Sequence, residues 1–137
     1  MADRTDAADE AADHQVKERV ISVDPSAVAT ARKFVRDYCQ AMGLESDLCD
    51  TVVLLTSEIV TNAILHARNT ARLRVRGNQQ QLRVEVTDDT SHHPQPRAAD
   101  PDALDGRGLA IVEMLAARWG VEEDPPGKTV WFEVQAA

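Results

Sequence analysis

The sequence contains 137 residues, the length of one domain, and its 23 acidic and 15 basic side chains give a formal net charge of -8. This balance argues against the electropositive surface that nucleic-acid-binding proteins use, and no apolar run approaches the roughly 20 residues that cross a bilayer. The acidic start is unlike a secretory leader, so we expect a cytoplasmic location. Two cysteines, Cys39 and Cys49, are too few for a disulfide scaffold and predict reduced core thiols.

The first part of the chain divides into an acidic tail and a folded domain. Residues 1–15 hold five acids against one arginine and few large apolar side chains, which predicts a disordered tail, and the domain then covers residues 16–137. Alternating apolar residues over 16–23 predict a strand. Asp24 followed by Pro25 predicts the start of a first helix.

A second helix is predicted to follow where Gly43 ends the first. Apolar residues at spacings of three and four predict this second helix over residues 46–67, and because Leu54 and Leu65 widen its apolar stripe we expect it to be largely buried. Next, residues 72–87 predict a β-hairpin with one buried face.

The rest of the chain predicts a long loop, a third helix and two strands. Residues 89–105 contain three prolines and no periodic pattern, which indicates a loop. A helix is predicted over 109–119, with Gly120 ending it, followed by a short strand at Val121 and a last strand over 129–134. The order predicts an α+β fold: a two-layer α/β sandwich in which helices pack on one face of a mainly antiparallel mixed sheet.

Glu58 and Asn62 are the first candidate site residues. They lie four residues apart on the second predicted helix, one turn apart on one face, and a helical wheel places both inside the apolar arc. Burying a carboxylate and an amide costs several kcal/mol unless each finds a partner. The pair therefore indicates either a bound ion or ligand, or a structural pair whose polar groups are satisfied by the backbone or by each other.

Two further features lie near the long loop. Asp88 ends the second strand of the hairpin, where a side chain can project into a cleft or serve a turn. Gly106 and Gly108 precede the third predicted helix, where backbone N–H groups can bind an anion or simply form a tight turn. The sequence contains neither a Rossmann glycine pattern after a strand nor a P-loop.

Three segments in this order resemble a known family. The segments LLTSEIVTNAILHA (54–67), VEVTDDTSHHPQPR (84–97) and GRGLAIVEMLAARWGVEEDPPGKTVWFEV (106–134) look like the three motif regions of the Bergerat-fold (GHKL) ATPases. The sequence is most similar to anti-sigma factor serine/threonine kinases of the RsbW and SpoIIAB type, in their actinobacterial histidine-kinase-like branch. The resemblance covers residues 16–134.

The resemblance implies a role for each matching residue. Asn62 would coordinate Mg²⁺, and Glu58 would be the general base. Asp88 would accept a hydrogen bond from the adenine amino group of ATP, with Thr129 beside the same base. The stretch Gly106, Arg107, Gly108 and Leu109 would hold the triphosphate, and residues 90–105 would form a lid.

The implied function is that of a kinase in an anti-sigma switch. Such a protein would bind a sigma factor, use Mg-ATP to phosphorylate a serine on a small α/β anti-sigma antagonist, and form a homodimer. Thr90 and His92 stand where the wider superfamily has glycines, so a second hypothesis is a non-catalytic, nucleotide-dependent module that sequesters a partner protein. Arginines 72, 74, 76 and 83 predict a solvated sheet face or, as the alternative, a partner surface.

Overall fold

The computed structural model describes residues 15–66, 70–88, 110–124 and 127–135. The predicted tail up to residue 14, the lid over 90–105 and the stretch Gly106–Leu109 lie outside these residues. The described elements are β1 (Gln15–Ser22), α1 (Ser26–Ala41), α2 (Ser46–His66), β2 (Thr70–Gly77), β3 (Gln81–Asp88), β4 (Arg118–Asp124) and β5 (Gly127–Gln135), and residues 110–115 are helical.

The strands form one five-stranded sheet in the order β1-β2-β3-β5-β4. All four described pairings are antiparallel, and α1 and α2 pack on one face of the sheet, with α2 crossing β3 and β5. The predicted α+β sandwich is therefore confirmed. Side chains on the helix-facing side of the three central strands are fully buried between the helices and the sheet, among them Leu73, Val84 and Phe132.

The two ends of α1 match their sequence signals. The Asp24 carboxylate accepts hydrogen bonds from the Ser26 backbone N–H at 2.8 Å and from the Ser26 hydroxyl. These bonds, together with one from Ser22, lower the pKa of Asp24 below its usual value. After the helix, Gly43 adopts a φ of +77°, the left-handed conformation that glycine tolerates best.

The prediction that α2 is largely buried, with Leu54 and Leu65 in its apolar stripe, is wrong for one side of the helix. Leu55 and Ile59 are fully buried, but Leu54 is 41% exposed and Leu65 is 55% exposed, because α1 and the sheet cover only the opposite side. The stretch Ser46–Leu65 has a mean hydropathy of 1.5 and 44% of it is buried in the fold. It therefore meets the length and hydropathy of a membrane span, contrary to the sequence expectation, although core helices of globular proteins do so too.

The third predicted helix is shorter than expected. Helical residues end at 115, and Trp119 and Gly120 belong to β4 rather than to a helix and its stop. Gly120 lies opposite Trp131 of β5, and a Cβ atom at Gly120 would stand 2.9 Å from the indole ring. The glycine is thus needed for close cross-strand packing, which outweighs the local helix signal.

Both cysteines are free and buried, as predicted. They lie in the core between α1 and α2, and burial, followed by the neighbouring Cys49, raises the pKa of the Cys39 thiol to about 12. A thiol with so high a pKa carries almost no thiolate at neutral pH, so Cys39 is an inert packing residue.

Candidate nucleotide-binding site

Glu58 and Asn62 lie at the boundary between the buried and exposed sides of α2. Both side chains are half-buried, between the buried pair Leu55 and Ile59 and the exposed Leu54. Their spacing of four residues stacks them one turn apart on the helix. This position lets a polar group reach a ligand while the adjacent core fixes the helix that carries it.

The amide oxygen of Asn62 is the most informative atom of the site. Asn62 Oδ1 is buried and has no hydrogen-bond partner within the part of the chain that the structure describes. A buried acceptor without a partner costs about 1–3 kcal/mol, so native proteins rarely keep one without a reason. Glu58 does not satisfy it. The alternative in which the pair is satisfied by the backbone or by each other is therefore not met at this oxygen among the described residues.

Asp88 reaches the same layer from the sheet. Asp88 is the last residue of β3 and is only 3% exposed. In the strand register it lies opposite Ala71 of β2 on one side and Lys128 of β5 on the other. Strand alternation places its side chain on the face that α2 covers, together with buried Val84 and Val86. The fold thus places Asp88 on the sheet face that α2, the helix carrying Glu58 and Asn62, packs against.

The structure does not bring Thr129 to Asp88. In the register of β3 and β5, Thr129 pairs with Thr87, and the two hydroxyl oxygens are 2.8 Å apart on the face away from the helices. The place of Thr129 beside the base of the nucleotide therefore stays a prediction, one that this register does not favour. Alternation puts Lys128 on the Asp88 face instead.

Sequence reasoning missed Lys128. Its side chain is half-buried and forms no ion pair with the described residues. Lys128 could have been found only by knowing that it lies opposite Asp88, and that pairing depends on the register between β3 and β5. A cation beside Asp88 places a donor next to an acceptor.

The residues present fit a magnesium ion bound mainly through a nucleotide. Within the described ranges no group of three or more His, Cys, Asp or Glu side chains could hold a metal by itself. Mg²⁺ prefers oxygen ligands and is commonly bound by one or two protein oxygens together with substrate phosphates and water. The amide oxygen of Asn62, which has no partner among the described residues, is an oxygen of the type that could serve as such a ligand. Gly106, Arg107, Gly108 and Leu109, the predicted phosphate contacts, lie outside the described residues.

These features are those of a nucleotide-binding kinase-like domain, and comparison with known proteins identifies the family. Residues 21–134 match the histidine kinase-like ATPase domain. The chain belongs to this family, so the resemblance seen in the sequence is confirmed and ATP is the nucleotide its family binds. A search of proteins with curated functions found no match.

Several solved structures share the fold of this chain. The RsbU and RsbW domains of Rv1364c from Mycobacterium tuberculosis superpose with a TM-score of 0.67 at 18% identity, covering 87% of this chain and 31% of that chain. A chain of the SiaB-SiaC complex from Pseudomonas aeruginosa superposes with a TM-score of 0.60 at 13% identity, covering 98% of this chain and 96% of that chain. This chain spans about a third of the Rv1364c chain that it matches.

Proposed function

We propose that this kinase-like ATPase domain is a serine/threonine protein kinase of the anti-sigma switch type. It would bind a sigma factor and use Mg-ATP to phosphorylate a serine on a small α/β antagonist protein. The unpaired, buried amide oxygen of Asn62, one turn from Glu58, is the observation that carries the proposal. Similarity to a fold that occurs in an RsbW domain and in a SiaB-SiaC complex supports a protein partner.

In the proposed reaction Glu58 accepts the proton of the acceptor hydroxyl. The seryl oxygen forms a bond to the γ-phosphorus of ATP, the bond between that phosphorus and its bridging oxygen breaks, and ADP leaves. Asn62 would hold Mg²⁺, which when bound offsets the charge of the phosphates. Glu58 suits the role of base by place, because its half-buried carboxylate lies beside exposed Leu54, where a protein substrate has access.

Asp88 and Lys128 together fit the edge of adenine. The amino group of adenine is a donor and the adjacent ring nitrogen is an acceptor, so a carboxylate beside an ammonium group matches this order. Guanine presents the reverse order at the same edge, with an acceptor oxygen beside a donor nitrogen. We therefore assign the selection of ATP over GTP to Asp88 with Lys128.

The alternative function is a nucleotide-dependent module that sequesters a protein without catalysis. Thr90 and His92, which replace two glycines of the wider superfamily, favour it because side chains there limit backbone approach to the nucleotide.

A homodimer and a cytoplasmic location belong to the kinase proposal as well.

The proposed function is tested by incubating the purified chain with labelled Mg-ATP and a small α/β antagonist, and by following thermal unfolding in parallel. We expect phosphate on an antagonist serine and a Tm that rises with ATP but not with GTP, because a ligand that binds only the folded state stabilises it. Stabilisation without transfer would support the sequestering module. If ATP causes neither phosphate transfer nor a rise in Tm, both proposed functions are contradicted.

The register of β5 predicts opposite outcomes for two neighbouring substitutions. Thr129→Val should leave the Kd for ATP within about twofold, since Thr129 faces away from the site. Lys128→Met should weaken ATP binding about tenfold or more, because a hydrogen bond from a charged donor contributes about 1.5–3 kcal/mol. Isothermal calorimetry measures both. Weakening by Thr129→Val alone would restore Thr129 as the residue beside the base.

A further inference from the structure

We call the sheet face opposite α1 and α2 the outer face. Its centre is largely buried, since Trp131 is 9% and Glu133 is 6% exposed, whereas Arg72 and Arg76 on β2 are exposed. Both helices pack on the other face. Strand alternation places the following side chains on the outer face: Val16, Glu18 and Val20 of β1; Arg72, Arg74 and Arg76 of β2; Arg83, Glu85 and Thr87 of β3; Thr129, Trp131 and Glu133 of β5; and Arg118 and Glu122 of β4.

The centre of the outer face is a network of ion pairs and ring stacking around Arg83. The Arg83 guanidinium stacks on the Trp131 ring at 3.9 Å and donates to the carboxylates of Glu85 at 2.7 Å and Glu133 at 2.9 Å. The side chains of Arg83, Glu85 and Glu133 are only 15%, 14% and 8% exposed. This cluster is packed by its own members and is a pre-ordered platform, which lowers the entropy that a partner must pay on binding.

Two arginines beside this platform are not satisfied by the fold. Arg74 lies 3.0 Å from Glu18 and 3.8 Å from Glu85, but the exposed side chains of Arg72 and Arg76 form no ion pair with any described residue. Arg76 also lies directly opposite Arg83, and like charges in this position destabilise a sheet. An anionic partner would relieve that repulsion.

The charge of this half of the face is opposite to that of the chain. On the outer face of β1, β2 and β3, four arginines (Arg72, Arg74, Arg76, Arg83) stand against two glutamates (Glu18, Glu85), an excess of two positive charges. The whole sequence carries -8. A local reversal of sign on one sheet face, at side chains that include the exposed Arg72 and Arg76, favours a negatively charged partner there.

From these observations we propose that the outer face over β1 to β3 docks an acidic, extended segment of a partner protein. Its carboxylates would meet Arg72 and Arg76, which lie four residues apart along β2, about 13 Å. Its apolar side chains would contact Val16 and Val20, which are 45% and 62% exposed. A cavity of about 300 Å³ lies at the Arg76 end of this surface, with Val16, Arg76 and Arg83 among its lining residues.

A protein segment fits this surface better than a nucleic acid does. Glu18 and Glu85 stand within the arginine rows and would repel a continuous line of phosphates, whereas a peptide can place its carboxylates only where Arg72 and Arg76 are exposed. The proposal does not depend on the proposed kinase activity, because the outer face lies on the side of the sheet away from Asn62 and Glu58.

The test uses the full chain without nucleotide and a fluorescein-labelled peptide that contains two glutamates separated by three residues, with valines between them. Fluorescence anisotropy should show binding that weakens as salt rises. The double substitution Arg72→Glu with Arg76→Glu should weaken it at least about tenfold, while Arg19→Glu with Arg32→Glu, which changes the net charge equally at exposed positions off the outer face, should change it less than about twofold.

Equal losses in the two double variants would overturn the proposal, because binding would then follow net charge alone. Two further experiments test whether the outer face binds a second copy of this chain or the chain's own acidic segment instead. If Arg72→Glu with Arg76→Glu converts a dimer into a monomer in sedimentation equilibrium, the face binds a second copy. If replacing Asp3, Asp6, Asp9, Glu10 and Asp13 by their amides strengthens peptide binding several-fold, the chain's own acidic segment competes for the face. Either outcome would overturn a foreign partner as the occupant.

Discussion

Glu58→Gln should lower phosphate transfer to the antagonist about a hundred- to ten-thousandfold while the Kd for ATP changes little. The amide has almost the same shape as the carboxylate but cannot accept the seryl proton, and general-base catalysis contributes a factor of this size. Single-turnover transfer of labelled phosphate measures the rate, and calorimetry measures the binding. A loss of rate with retained binding separates a base from a residue that holds the nucleotide.

The control for this substitution is Glu45→Gln. Glu45 lies one residue before α2 and is exposed, and its substitution removes the same charge three turns or more away from Glu58 along the helix. Its transfer rate should stay within about twofold of the unsubstituted protein. Transfer that survives Glu58→Gln would contradict the assignment of the base, and equal losses in both variants would point to a general electrostatic effect on substrate association.

Features that depend on a few neighbouring residues could be predicted from the sequence. The start of α1 follows from Asp24 and its end from Gly43, because capping and a left-handed φ are local properties. The position of Asp88 at the end of β3 follows from alternation within one strand. For the same reason the four arginines on the outer side of β2 and β3 were expected to share a face, and they do.

Features that depend on pairing across the sheet could not be predicted. The face on which Thr129 lies is decided by its partner Thr87, and a shift of one residue would exchange it with Lys128. Gly120 resembled a helix stop because its packing partner, Trp131, is not a sequence neighbour. The exposure of Leu54 similarly depends on where α1 and the sheet end, which the apolar pattern of one helix does not contain.

Asn62→Leu should make the protein without nucleotide more stable and remove its stabilisation by Mg-ATP. The amide oxygen of Asn62 is buried without a partner among the described residues, so replacing the amide by an apolar group of similar size removes a desolvation cost of about 1–3 kcal/mol. The same change removes the proposed Mg²⁺ ligand. At a nucleotide concentration of a hundred times Kd, the unsubstituted protein should gain about 2.7 kcal/mol, and the variant should gain almost nothing.

Asn78→Leu is the matched control, because its amide oxygen is satisfied. Asn78 Oδ1 accepts hydrogen bonds from the backbone N–H groups of Gln80 at 2.7 Å and Gln81 at 2.9 Å in the turn between β2 and β3. Removing it should lower the free energy of unfolding by about 1 kcal/mol or more and leave the gain from Mg-ATP intact. Urea unfolding measures the free energy of unfolding of the Asn62→Leu and Asn78→Leu variants, each with and without Mg-ATP, against the unsubstituted protein.

Two quantities decide what Asn62 does: the change in the free energy of unfolding without nucleotide, and the gain in that free energy when Mg-ATP is added. A structural asparagine would behave like Asn78, with a less stable protein and an unchanged response to nucleotide. A ligand-binding asparagine shows the reverse, because its cost in the free protein is recovered only when Mg-ATP binds. If Asn62→Leu destabilises the free protein and keeps the full gain from Mg-ATP, the amide oxygen is part of the packing of α2, and the proposed Mg²⁺ ligand must be sought elsewhere in the chain.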